Sequence, residues 1–111
     1  MTRLLENGGV CLEADDSTLK VEGQVGFEEA SALAEAGHDW LVDQPAGTSV
    51  TFDLSGVADV SSAALSVMLE WARAARAAGL ELQVVRLSPA LRRLADLAGL
   101  ERLLPVENAL A

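Results

Sequence analysis

Ser61 and Ser62 stand where the β-rich run TSVTFDLSGV, from Thr48, gives way to SSAALSVMLEWARAARAAG, a run of helical period. Adjacent hydroxyls at such a junction have three uses. One can cap the helix by accepting free backbone N–H groups, worth about 1 kcal/mol. One can carry a phosphate, which a helix N-terminus favours electrostatically. Or they can sit in the middle of a protein contact. Catalysis needs more convergent groups than the chain offers. His38 is the sole histidine and precedes Asp39, so a Ser-His-Asp set exists as residue types. However, no Gly-x-Ser-x-Gly elbow holds a serine, and His38 follows Gly37 in what reads as a loop. Asp15-Asp16 reads as a turn, because ligands at EF-hand spacing are absent. NGG and LSG continue into neither a P-loop nor a dinucleotide fingerprint. Glu28-Glu29 fall in a first helical turn, where carboxylates complement the dipole. No catalytic residue, metal site or cofactor is expected, and the chain reads as a non-enzyme.

Composition narrows the partners. Eight Lys and Arg against seventeen Asp and Glu give a net charge of −9. That field repels nucleic acid, and no basic patch with interleaved aromatics overrides it. It also opposes direct contact with an anionic membrane surface, whereas a basic or mixed-charge protein partner suits it. Half the residues are apolar and 4% aromatic, so the core must be Leu, Val and Ala. Cys11 is the only cysteine, which excludes an internal disulfide and a thiolate metal cluster and fits a reducing cytoplasm. MTRLLENGG lacks an apolar signal core, and no stretch approaches the ~20 apolar residues of a membrane span. The 111 residues fit one domain, with its core over about residues 10–106.

The elements that must position the serines follow from periodicity. Val10 to Glu13 and Thr18 to Glu22 read as strands around an Asp15-Asp16-Ser17 turn. Phe27, Ala30, Leu33 and Ala34 recur at helical spacing, with Gly37 ending or kinking that helix. Val50, Phe52 and Leu54 form one face of the next strand. Ser61 or Ser62 is a candidate N-cap for the long helix, and Gly79 its stop. Leu80 to Arg86 is a strand. Ser88 as N-cap, Pro89 at the first position and Gly99 past the end frame a last helix. The order is β-β-α-β-α-β-α, an α/β class with a mixed sheet and helices packed on it.

The long helix carries two apolar seams. Leu65, Met68, Leu69, Ala72 and Ala75 form one, and Ala64, Val67, Trp71, Ala74 and Ala78 the other. The polar arc is narrow: Ser62, Ser66, Glu70, Arg73 and Arg76. A surface helix usually shows a single stripe of about 100°. One seam packs on the sheet. The second either packs on a neighbouring helix or is left for a partner.

DLSGV at Asp53 to Val57, followed by SSAAL at Ser61 to Leu65, resembles the STAS domain of the anti-sigma factor antagonists. SPALRRLADLAGLERLLPV resembles that family's closing helix, and VEGQV at Val21 to Val25 its second strand and turn. The likeness spans about Leu19 to Val106. It implies a STAS-like α/β domain with Ser62 at the family's hydroxyl position. In the antagonists that hydroxyl is phosphorylated by a partner kinase, which would make Ser62 a phosphoacceptor and an anti-sigma kinase the partner. Ser61 replaces the acid that usually precedes it, and Ala64 a glycine. The helix itself, AALSVMLEWARAARAAG, is similar to the MlaB-type STAS subunit of the ABC transporter that maintains outer-membrane lipid asymmetry. That branch implies a cytoplasmic subunit held at the inner membrane through its complex, bound to the ATPase of a phospholipid transporter. It would make Ser61, Ser62, Ala63, Ser66 and Glu70 the partner-binding surface.

Overall fold

The computed structural model describes residues 2–58, 62–102 and 104–106, with the backbone alone for Glu101. Five strands form one sheet in chain order: β1 (Thr2–Asn7), β2 (Val10–Asp15), β3 (Thr18–Gly23), β4 (Ser49–Val57) and β5 (Glu81–Leu87). β1 pairs with β2, and β2 with β3, antiparallel, while β3, β4 and β5 are parallel. Helix α1 (Phe27–Val42) joins β3 to β4, and α2 (Ser62–Ala77) joins β4 to β5. Helix α3 (Pro89–Leu97) follows β5, and a 3-10 turn, Leu100–Arg102, follows it. Val106 then pairs with Val85 in parallel at the β5 edge. The expected α/β class, with a mixed sheet and helices packed on it, is the observed one.

One strand is additional. The segment Thr2–Asn7 was not expected to be a strand, because it lacks a period of two. A register shift between Arg3 and Leu5 explains this: Arg3 faces Glu13 and Leu5 faces Leu12, so Leu4 is the extra residue. Both leucines end half-buried. Elsewhere alternation holds. Val10, Leu12 and Ala14 of β2, Leu19 and Val21 of β3, and Val50, Phe52 and Leu54 of β4 are buried on the helix-covered face. Cys11, Glu13, Lys20 and Asp53 take the other. Such alternation belongs to a sheet covered on one side only.

Helix α1 differs from expectation at two positions. Phe27 does not join the core; it is 85% exposed, and Val25, just ahead of the helix, supplies the buried contact at 2%. The N–H of Gly26 donates to Glu29 Oε1 at 3.0 Å and fixes the helix start. Gly37 does not end the helix, which runs on to Val42. Gly37 is there for space: a Cβ would lie 2.2 Å from Trp71 Cε2. Trp71 is fully buried, its indole N–H donates to the Ala34 carbonyl at 3.2 Å, and its ring meets Phe52 edge-on at 5.6 Å. The second apolar seam of α2 is therefore occupied within the molecule, by α1. Of the two uses open to it, the neighbouring helix takes it.

Helix α3 follows its sequence signals. Ser88 is 5% exposed and its Oγ accepts from the Leu91 N–H at 3.3 Å, with Pro89 at the first helical position. Gly99 lies just past the end at φ +71°.

Candidate functional site

Because β3, β4 and β5 are parallel and each leads into a helix, the starts of α1, α2 and α3 lie at one end of the sheet. The sequence DLSG shapes that end. Between the pairs Lys20–Asp53 and Glu22–Gly56, β4 carries one residue more than β3. This bulge holds Ser55, whose N–H and hydroxyl both donate to Asp53 Oδ1, at 3.0 and 2.6 Å. An Asp side chain that satisfies the backbone two residues on gives the strand an alternative to the ladder. Gly56 is needed beside it, since a Cβ there would sit 2.8 Å from Glu22 Cγ and 3.3 Å from the Val21 carbonyl.

Ser62 is the first residue of α2 and is exposed. The alternative that Ser61 is the N-cap lies outside the described residues, as does the partner-binding role expected of Ser61. Ser66 and Glu70 are exposed and follow Ser62 at helical spacing, so the three share one outward stripe. Ala63 is 7% exposed and Ala64 fully buried; both face inward. Phe27 begins α1 at the same end of the sheet, and sequence periodicity missed it as a surface residue. Its signal was positional: a large aromatic in a first helical turn, after a buried Val25 that already fills the core.

Between the two helices runs a shallow groove of about 420 Å³. Ser31, Glu35 and His38 of α1 and Ser66 and Glu70 of α2 form its sides, and Ala30, Ala34, Val67 and Trp71 its floor. The groove brings a serine, a histidine and carboxylates together, and among the described residues no hydrogen bond joins Ser66 to His38. Among the described residues no three His, Cys, Asp or Glu side chains cluster in a way that could hold a metal. What the site offers is a polar stripe, an exposed aromatic and a groove, which are the parts of a binding surface.

The family model described as MlaB, STAS domain matches residues 9–105. The chain belongs to that family. The STAS fold is shared with a solved anti-sigma factor antagonist from Mycobacterium paratuberculosis, 26% identical, with a TM-score of 0.69, over 91% of this chain and 86% of that one. No curated protein sequence matches the chain. As a STAS domain it has a family whose members work through protein partners. No described helix is long and apolar enough to cross a membrane.

Proposed function

We propose that this STAS domain, taken as one domain over residues 1–111, is the accessory subunit of an ABC-type phospholipid transporter, bound to its ATPase at the cytoplasmic side of the inner membrane. It carries no chemistry of its own. The observation that carries the reading is the MlaB-type family match over a chain whose motif hydroxyl, Ser62, opens an exposed polar stripe. Phe27, at 85% exposure, supplies the aromatic anchor such contacts use. A small hydroxyl at a tight contact makes hydrogen bonds without filling space, and a larger or charged group would be expelled from it.

Coexpression with the ATPase and permease subunits tests this. The chain is expected to copurify with both, and S62R to lose the ATPase while its circular dichroism is unchanged. A chain that purifies alone in that experiment would remove the reading.

A second reading has its own support in the solved anti-sigma factor antagonist. An exposed Ser62 in a first helical turn is accessible to a kinase. In that case incubation with a serine kinase of the anti-sigma type adds one phosphate by intact mass, and S62A abolishes it. The transporter reading predicts no added phosphate.

A further inference from the structure

The charges of this chain are segregated along it. Arg73, Arg76, Arg86, Arg92, Arg93 and Arg102 are six of the eight cations, and only Glu81, Asp96 and Glu101 are acidic in that stretch. Ahead of them stand Arg3 and Lys20 with most of the acids. The topology makes this asymmetry partly spatial. Arg86, Arg92 and Arg93 belong to β5 and α3, at the edge of the sheet remote from β1; Arg73 and Arg76 follow Glu70 on α2, and every charged side chain of α1 is an acid.

The α1 acids are oddly placed for stability. Glu28 and Glu29 complement the helix dipole, but Asp39, in the last turn, and Asp43, at the C-cap, oppose it, with no basic residue in that turn. Among the described residues no ion pair reaches Glu35, Asp39 or Glu70. Two of these carboxylates, Glu35 and Glu70, flank the α1–α2 groove from opposite sides. The accessible part of its floor is Ala30 and Ala34, two small side chains above the buried Val67 and Trp71, so another helix can approach closely. The groove is continuous with the proposed docking end, because Ser66 and Glu70 belong to both.

From this we infer that the α1–α2 groove receives a Lys- or Arg-bearing helix of the protein partner, its small apolar side on Ala30 and Ala34 and its cations between Glu35 and Glu70. The inference rests on the docking reading above and names the chemistry of what docks.

The test is a titration of the ATPase subunit with the intact chain, its variants and two salt concentrations. Binding of the native chain is expected to weaken about tenfold between about 0.05 and about 0.3 M salt, as the Debye length shrinks. E35K/E70K should lose affinity by more than about tenfold, and E35Q/E70Q by less, with unchanged circular dichroism. E6K/D15K, on β1 and at the end of β2, changes the net charge equally and should bind nearly as the native chain does. If the native chain binds but E35K/E70K binds equally well, or E6K/D15K is weakened as much, the groove is not the cation's site and the docking reading survives alone. If the native chain does not bind the ATPase, both fall together.

Discussion

Single residues carry the junction at which the account turns. Asp53 is legible in the sequence as part of a motif, but what it does is visible only in the fold: it holds Ser55 in a bulge near the end of β4. D53A would leave the Ser55 N–H and hydroxyl without that acceptor and is expected to cost about 1 kcal/mol, read as a lower urea midpoint at unchanged slope. D53N, which keeps one acceptor oxygen, should cost less. Ser62 was legible as the position to watch, because hydroxyls at a strand-to-helix junction have few ordinary uses. Its exposure was not, since a cap, a phosphoacceptor and a contact residue share the same pattern. Phe27 reversed its expected role. An aromatic on a helical stripe reads as core, yet here Val25 fills the space and leaves Phe27 outside. F27A should therefore change stability by less than about 0.5 kcal/mol, while weakening the ATPase complex by about tenfold or more as an anchor lost from a contact. A large loss of stability in F27A would show that the side chain packs internally.

At the scale of elements, the strands and helices were readable because each surface is sided. Alternation gave β2 to β4 and the three-four spacing gave α2, whereas β1 was missed because its bulge breaks the period. Periodicity also could not say which of two apolar seams on α2 meets a neighbour. Trp71 decides it, through its hydrogen bond to Ala34 and its edge contact with Phe52. W71A should cost about 3–5 kcal/mol as a large buried ring is replaced by a cavity. Gly37 is the matching half of that contact. G37A would place a methyl within the Trp71 ring and should cost about 1–3 kcal/mol by overpacking, in spite of alanine's better helix propensity of about 1 kcal/mol. A G37A variant as stable as the native chain in thermal unfolding would mean that α1 and α2 can separate without penalty. The α3 cap, by contrast, was fully legible: Ser88 and Pro89 stand as the sequence has them, and S88A should lose about 1 kcal/mol.

For the molecule as a whole, the family match and the shared fold place the chain among STAS domains. Net charge was readable from composition, but its arrangement was not, because only the sheet order separates α1 from the β5 and α3 edge. On the proposed function, the motif hydroxyl, the exposed Phe27 and the groove flanked by Glu35 and Glu70 are the features that a protein partner would meet. Most of its other large apolar residues are committed to a core that runs from Val10 to Leu104, with Val42 and Leu97 exposed. The most direct measurement is the affinity of the ATPase subunit for the native chain and for S62R by calorimetry. The account predicts a saturable one-to-one complex that S62R weakens at least about tenfold with its melting temperature unchanged. Equal affinity for the two proteins would contradict it.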